Sequence, residues 1–171
     1  DEVSLELTRK VGETHAELGV AGKWGEQDAV NEVVGTMIAE YGRGGRAHGG
    51  GFYEYAADGS KAIWPKLFEL YYQEATRVPE QDIKDRLLFR QVIESLKCLE
   101  TGVLRNVQDG NVGSIMGIGA PVWTGGFIQF VNTYGLQRFS DRCGELAAAY
   151  GERFKTPAIV ASKLEAGELF E

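Results

Sequence analysis

Two arginines and a histidine, Arg43, Arg46 and His48, stand in a glycine-rich run at residues 42–51 and could hold a phosphate group. A guanidinium forms paired hydrogen bonds with phosphate oxygens, and glycine lets backbone amides approach an anion closely. The same run also suits a plain connecting loop, because each glycine disfavours a helix by roughly 1 kcal/mol relative to alanine. These three side chains are therefore a candidate anion site within a loop.

Other polar residues are less well spaced for a metal or catalytic site. Asp109 and Asn111 resemble two oxygen ligands of a metal, yet a metal loop needs more oxygens and a tighter turn, so a polar cluster at a helix start is the better interpretation. His15 lies in an amphipathic pattern and His48 in the glycine run, and both are interpreted as surface or partly packed residues. The sequence predicts no metal site.

Cysteine usage and charge narrow the class of protein. Cys98 and Cys143 lie in helical patterns without a CxxC partner, which is typical of buried, reduced thiols. A net charge of −7 leaves no general basic surface, which argues against a nucleic-acid partner. No apolar run approaches the roughly 20 residues of a membrane span, and no leader pattern opens the sequence. A cytoplasmic globular protein is predicted.

The elements that position these residues are read from apolar spacing. Apolar residues recur at three and four along several segments, which is the spacing of helices with one buried face. A turn signal at Asp58-Gly59 indicates either a short hairpin or an extended arm. A first helix is expected to carry the stripe Val3, Leu5, Leu7, Val11 and Leu18, and Gly19 with Gly22 and Gly25 to end it. Further elements are a helix at 26–41, the hairpin within 52–64, and a short helix after Pro65 with a linker closing at Pro79.

The second half has the strongest periodicity. A long helix at 80–101 is expected to bury one face made of Ile83, Leu87, Leu88, Val92, Leu96 and Leu99. Asn106 is expected to cap a helix at 107–116, residues 117–121 to break it, and Phe127, Ile128, Phe130 and Val131 to be deeply buried. Helices at 136–150 and from Pro157 to Ala166 complete an all-α fold. Without alternating strands and helices, no nucleotide-binding α/β domain is predicted.

Neither glycine cluster has the dinucleotide-binding pattern. That pattern, G-x-G-x-x-G, lies between a strand and a helix. Residues 42–51 follow a helix and have a different spacing, and the pair Gly117 and Gly119 follows a helix and lacks the third glycine. No cofactor is therefore predicted for this chain.

Residues 82–136 contain, in order, an amphipathic helix, a short polar helix, a Gly/Pro/Trp hinge and a second apolar helix. This order resembles the C-terminal domain of the L-3-hydroxyacyl-CoA dehydrogenases, as in the alpha subunit of the fatty-acid oxidation complex. The resemblance implies two related helical units packed on each other, the first one truncated. Residues 1–20 match residues 132–151, so Asp1 falls where Asn132 falls. The implied domains are a first unit at 1–64, a linker at 65–79 and a complete second unit at 80–171.

The resemblance also implies where the chemistry takes place. The family transfers a hydride to NAD with a histidine–glutamate pair in a nucleotide-binding domain that this chain lacks, so no catalytic residue is expected here. Asp85-Arg86 stands where the first unit of the family has asparagine and arginine, which indicates a structural copy. The run at 42–55 is similar to a family segment beside the cleft, so Arg43, Arg46 and His48 could contact a CoA phosphate. Trp123, Thr124 and the following glycines match a family pattern in which the aromatic fills the core.

Two hypotheses follow. The first is a C-terminal domain of a β-oxidation dehydrogenase that supports the acyl-CoA cleft and is inactive alone. Its implied partners are upstream nucleotide-binding and enoyl-CoA hydratase domains, a thiolase subunit, acyl-CoA and a second copy of the chain, with NAD as the cofactor of the full-length enzyme. The alternative is a free-standing helical interaction or acyl-CoA-binding module, which the length of 171 residues allows.

Overall fold

A computed structural model of the chain describes residues 1–19 and 27–171, and it divides them into two compact units, Asp1–Arg77 and Val78–Glu171. In these described residues, eight α-helices and one two-stranded sheet make up the regular structure, together with short 3₁₀ turns. The prediction of an all-α fold with a small hairpin is confirmed. No helix among the described residues is long and apolar enough to cross a membrane.

The first unit contains three helices and the hairpin. Their bounds are α1 (Leu5–Glu17), α2 (Gln27–Ala39), β1 (Tyr53–Tyr55), β2 (Lys61–Ile63) and α3 (Lys66–Tyr71). The strands pair antiparallel with Tyr53 opposite Ile63, and the Asp58 carboxylate accepts from the Ser60 amide in the predicted turn. Gly19 follows α1 in the left-handed region, as its predicted role requires. The predicted roles of Gly22 and Gly25 fall on residues 20–26, outside the described residues.

The described residues of the first unit, 1–19 and 27–77, form a small core. Leu5, Val34 and Met37 are buried, and partly buried apolar residues pack around them: Val33, Ile38, Phe52, Trp64 and Leu67. The predicted stripe of α1 is wrong at all positions except Leu5, because Val3, Leu7, Val11 and Leu18 are exposed. The side of α1 that meets α2 carries Leu5 and the buried Gly12 instead, and a Cβ at Gly12 would lie 2.5 Å from the Asn31 Oδ1 atom.

The second unit is a five-helix bundle around an aromatic core. Its helices are α4 (Glu80–Glu100), α5 (Val107–Ile118), α6 (Phe127–Tyr134), α7 (Leu136–Tyr150) and α8 (Ala158–Ala166). Asn106 caps α5 as predicted, since its side-chain oxygen accepts from the Asp109 amide at 2.8 Å. The four apolar residues of α6 are buried as predicted. The Phe89 ring of α4 stacks on Phe139 of α7 with centroids 4.7 Å apart.

The buried face of α4 differs from the predicted one. Ile83 is 46% exposed and Leu87 is 67% exposed, and the residues that face the core are Asp85, Phe89, Val92, Ile93 and Leu96. The helix is turned so that Phe89 enters the aromatic cluster, which moves Leu87 toward solvent. Leu88 and Leu99 remain partly buried against the core. A pattern of aliphatic residues alone therefore placed the centre of this face too far to one side.

The prediction for the hinge between α5 and α6 is correct for the glycine and wrong for the tryptophan. Gly126 has a φ of +105°, and a Cβ there would lie 2.4 Å from the Asn111 Cα, so glycine is needed for the close contact that the sequence predicted. Trp123 does not fill the core, because it is 69% exposed and touches only the edge of the cluster through Phe130. The buried aromatic side chains of this segment are Phe127 and Phe130.

Candidate functional site

The glycine-rich loop gives each of the three predicted anion-binding residues a different environment. Arg43 is half-buried and donates from Nε to the Gly51 carbonyl at 2.6 Å and from Nη2 to the Tyr53 carbonyl at 2.9 Å. Its guanidinium also lies 4.3 Å from the centre of the Trp64 ring. These contacts hold the loop against the hairpin, so Arg43 is directed at the loop's own backbone.

Arg46 and His48 face outward in the same loop. The Arg46 Nη1 atom lies 3.1 Å from a carboxylate oxygen of Glu2, and both side chains are more than half exposed. His48 is exposed, with its ring against Gly44, where a Cβ would lie 2.9 Å from the imidazole. An anion at Arg46 would compete with Glu2 in a solvent-screened ion pair. Phosphate contact at these residues stays a prediction.

Asp1 organises this loop from the other side. Its carboxylate accepts hydrogen bonds from the amides of Phe52 at 2.8 Å and Tyr53 at 2.9 Å, and from the Tyr55 hydroxyl at 3.0 Å. Burial raises the pKa of Tyr55, and the nearby Glu2 charge adds to that increase. We call this set, Asp1 with residues 52, 53 and 55, the aspartate clamp. Sequence reasoning missed it, although the pairing of Asp1 with Asn132 was a signal that could have found it.

Asn132 makes the corresponding contact in the second unit. Its Oδ1 accepts from the Phe170 amide at 3.0 Å, and its Nδ2 donates to the Phe170 carbonyl at 2.8 Å. We call this pair the asparagine clamp. Both clamps join the segment just before an amphipathic helix to an aromatic residue after the next helix. This recurring contact agrees with the predicted internal repeat, which stays a prediction.

A second polar group, also missed from the sequence, fixes α4 to α7. The Arg142 Nε atom lies 2.7 Å from Asp85, its Nη1 lies 2.7 Å from Glu145, and its Nη2 contacts Asp82. Hydrogen bonds from Tyr150 and Arg142 hold the pKa of Asp82 below its ordinary value, while the bond to Asp82 raises the pKa of Tyr150. The same carboxylates raise the pKa of Arg142. Asp85 thus serves to hold two helices together.

The remaining polar candidates also have structural roles. Asp109 lies in the first turn of α5 beside Asn106, and Asn111 accepts from the amides of Ile128 and Gln129 at the start of α6. The polar cluster at a helix start that the sequence predicted is confirmed. In residues 1–19 and 27–171, no cluster of three or more His, Cys, Asp or Glu side chains has a metal-binding arrangement.

The two cysteines differ in environment. Both are free thiols, and Cys143 is fully buried whereas Cys98 is partly exposed. Burial raises the pKa of Cys143 to about 12, so this thiol stays protonated at neutral pH. The predicted burial is therefore correct for Cys143 and only partly so for Cys98, which faces the groove between α4 and α5.

Each unit has an apolar groove. In the second unit a groove of about 420 Å³ lies between α4 and α5, with Val103, Leu104 and Ile118 in its wall and Arg90 and Glu94 at its edge. In the first unit a groove of about 450 Å³ lies between α1 and α2 and is lined by Leu5, Thr8, Ala29, Val30, Val33, Val34 and Phe52, with Asp1 at one end. Grooves of this character accept apolar groups such as an acyl chain or a helix face.

No family model matches this sequence. Curated relatives do match it, and three of them are each named fatty acid oxidation complex subunit alpha. The protein from Vibrio parahaemolyticus serotype O3:K6 is 29% identical over 157 residues, which cover 90% of this chain and 21% of the relative. Those from Vibrio vulnificus and Vibrio cholerae El Tor are 30% identical over 158 and 138 residues. The chain thus spans about one fifth of the length of these relatives, and the resemblance stated from the sequence is confirmed.

Proposed function

We propose that this chain, which is related over nine-tenths of its length to alpha subunits of fatty acid oxidation complexes, is a helical part of an NAD-dependent L-3-hydroxyacyl-CoA dehydrogenase of fatty-acid β-oxidation. In this proposal the chain supports the acyl-CoA cleft and the packing of domains, and it has no dehydrogenase activity by itself. NAD binds in a nucleotide-binding domain elsewhere in the enzyme.

One observation carries the proposal. The matched region covers nearly all of this chain but only 21% of the relative, so the relatives contain about four further fifths that this chain does not match. We assign the nucleotide-binding and enoyl-CoA hydratase domains to that remainder, and a thiolase subunit to the complex. Because fold alone does not define an activity, the support for this assignment is the sequence relationship to the relatives.

The polar groups of the structure agree with a supporting role. The aspartate clamp, the asparagine clamp and the Arg142 group each join two segments of one unit, and their donors and acceptors bond to the chain itself. Such groups fix the orientation of helices, which is what a cleft-supporting domain requires. A contact with a CoA phosphate would use Arg46 and His48 first, since both are exposed, whereas Arg43 would have to leave the Gly51 and Tyr53 carbonyls.

A chimera tests the proposal. The matched 157-residue region of the Vibrio parahaemolyticus subunit is replaced by this chain, and oxidation of a 3-hydroxyacyl-CoA is followed through NADH absorbance. We expect NADH formation by the chimera, and none by this chain alone. A chimera with Leu96→Asp, which places a charge in the aromatic core, serves as the unfolded control.

The outcomes separate the two hypotheses. NADH formation by the isolated, homogeneous chain would overturn the proposed division of labour. A folded chimera without activity, together with acyl-CoA binding to the isolated chain in calorimetry, would instead favour the free-standing acyl-CoA-binding module.

A further inference from the structure

The glycine-rich loop and β1 surround the Asp1 carboxylate with donors on both of its oxygens. The Phe52 amide donates to Oδ1 at 2.8 Å, and the Tyr53 amide and the Tyr55 hydroxyl donate to Oδ2 at 2.9 and 3.0 Å. Two consecutive backbone amides directed at one anion form a nest, which is a recurring anion-binding arrangement in proteins. The aspartate clamp therefore has the donor set of a carboxylate-binding site.

Bonds that do not involve the carboxylate hold the two amides in position. Each N–H shares a planar, trans peptide group with the carbonyl of the preceding residue, so a bond to that carbonyl fixes the direction of the N–H. The Gly51 carbonyl accepts from the Arg43 Nε atom at 2.6 Å, which directs the Phe52 amide. The Phe52 carbonyl accepts from the Trp64 amide at 2.9 Å, which directs the Tyr53 amide. The nest is therefore organised before a carboxylate enters it.

Glycines make room for a planar carboxylate at this place. A Cβ at Gly51 would overlap the carboxyl group of Asp1, and a Cβ at Gly45 would lie 2.7 Å from the Asp1 carbonyl oxygen. Only a residue without a side chain allows such a close approach. Because the backbone lies directly against the flat carboxyl group, the fit favours a carboxylate over a larger, tetrahedral phosphate.

Local charge favours an anion here although the chain is acidic overall. Residues 42–53 contain two arginines and no aspartate or glutamate, in a chain with a net charge of −7. The Arg46 guanidinium lies 5.4 Å from the centre of the Tyr55 ring, close to the hydroxyl that completes the nest. The asparagine clamp differs, because Asn132 meets one amide and one carbonyl of Phe170, and a carbonyl repels an anion.

Residues 1–4 are attached to the loop by polar contacts alone. None of their side chains is fully buried, and Val3 is 69% exposed. The ion pair of Glu2 with Arg46 is exposed to solvent and contributes little. The backbone of Ser4, with a φ of 69°, is strained and would relax on release. Residues 1–4 can therefore leave the loop without exposing a buried apolar side chain of their own.

We propose that residues 45–55 form a carboxylate-binding site that Asp1 occupies as an internal ligand. A carboxylate on another molecule binds there when residues 1–4 are displaced. The ligand class is a carboxylic acid, either free or carried by a peptide segment. This site uses backbone amides and a tyrosine hydroxyl, so it is distinct from the predicted phosphate contact through arginine and histidine side chains. It concerns the loop itself and stands independently of the proposed enzymatic role.

Acetate binding to the Asp1→Ala protein tests the proposal. The amide resonances of Phe52 and Tyr53, followed by NMR, are expected to shift with a Kd of about 10 mM. In the wild type the internal ligand fills the site, so acetate should cause no saturable shift of these resonances. Tyr55→Phe in the Asp1→Ala background removes one donor and should weaken acetate binding about fivefold. Chloride at equal ionic strength and inorganic phosphate should cause no saturable shift.

Asn132→Ala is the matched control in the second unit. It vacates the asparagine clamp, which offers one amide and one carbonyl, so acetate should not titrate the Phe170 amide. If Asp1→Ala leaves the first unit unfolded, acetate should restore its folded circular dichroism signal, and chloride at equal ionic strength should not. Failure of that rescue would count against the proposal as directly as failure of binding.

Capped tetrapeptides identify the source of the carboxylate. The peptide Asp-Glu-Val-Ser repeats residues 1–4, and a second peptide has asparagine in the first place. Tighter binding of the aspartate peptide than of acetate assigns the site to a protein segment, and an affinity no higher than that of acetate assigns it to free carboxylic acids. The proposal is overturned if folded Asp1→Ala protein binds neither acetate nor the aspartate peptide, if the wild type titrates equally, or if phosphate or the asparagine peptide binds as well as the carboxylates.

Discussion

The two units use the same position for the same purpose with different chemistry. Asp1 and Asn132 occupy equivalent places before α1 and α7, and each binds the backbone near an aromatic residue that follows the next helix, Phe52 or Phe170. The carboxylate accepts from two amides, whereas the asparagine accepts from one amide and donates to one carbonyl. The two clamps therefore have a similar geometry. Their side chains differ because one faces two backbone amides and the other faces an amide and a carbonyl.

The helix starts next to the clamps show the same relationship. Leu5 and Leu136, the first residues of α1 and α7, are both buried. The residues just before them, Ser4 and Gly135, have φ values of 69° and 94°, and Ser4 is the single non-glycine with positive φ among residues 1–19 and 27–171. Glycine adopts this backbone freely and serine does so with strain. The Ser4 hydroxyl accepts from the Leu7 amide and caps α1, a contact that glycine could not make.

The units differ most in their cores. In the second unit the rings of Phe89, Phe130, Tyr134 and Phe139 form a continuous aromatic cluster. Among the described residues of the first unit, Leu5, Val34 and Met37 are the buried apolar ones, and hydrogen bonds accepted by the Asp1 carboxylate and donated by the Arg43 guanidinium supplement them. Burial of apolar area should therefore dominate the stability of the second unit, and polar clamps should contribute a larger share in the first.

Removing the central ring should have the largest effect. Phe89→Ala deletes a fully buried side chain that touches three other rings, and we expect a loss of about 4 kcal/mol in the free energy of unfolding of the second unit. Urea denaturation followed by tyrosine fluorescence measures it. Leu87→Ala, two residues away on the exposed side of α4, should cost less than about 0.5 kcal/mol. Similar losses for both variants would contradict the observed orientation of α4.

Exchanging the clamp residues should have an intermediate effect. Asp1→Asn places an amide donor opposite an amide donor, and Asn132→Asp places a carboxylate oxygen opposite the Phe170 carbonyl. Each change should cost about 2 kcal/mol. Hydrogen exchange should show faster exchange at the Phe52 and Tyr53 amides in the first variant, and at the Phe170 amide in the second. Unchanged exchange in both variants would mean that the two clamps are interchangeable.

The residue before α1 should have the smallest effect and the opposite sign. Ser4→Gly removes the strain of a positive φ, while replacing a capping serine by glycine costs only a few tenths of a kcal/mol. We expect a net gain of about 0.5 kcal/mol in the stability of the first unit, measured as a shift of the urea midpoint. Gly135→Ser, the converse change, should lower the midpoint of the second unit. A destabilised Ser4→Gly protein would show that the cap outweighs the strain.

Sequence periodicity was sufficient to locate the elements because helix ends carry strong local signals. The bounds of α7, the cap at Asn106 and the hairpin turn at Asp58-Gly59 were all predicted from residues that lie within a few positions of each other. The orientations of α1 and α4 could not be predicted in this way, because the side that each helix buries depends on the neighbouring helix. Exposed leucines such as Leu7 and Leu87 look the same in a sequence as buried ones.

The polar groups were harder to predict for a related reason. Asp85 and Arg142 are 57 residues apart, and no local pattern indicates that they form an ion pair. Arg43 looked like an anion ligand because the sequence shows a positive charge among glycines, but it cannot show that two carbonyls of the same loop accept from it. Asp1 carried the one available signal, its pairing with Asn132 in the internal repeat.

Because the two thiols are buried to different extents, their reactivity can report the opening of the second unit. Cys143 sits on α7 inside the aromatic core, and Cys98 sits on α4 at the edge of a groove. A reagent that modifies thiolates can reach Cys98 in the native bundle, but it reaches Cys143 only after α7 has separated from its neighbours. The rate of Cys143 modification relative to that of Cys98 therefore measures how often this bundle opens.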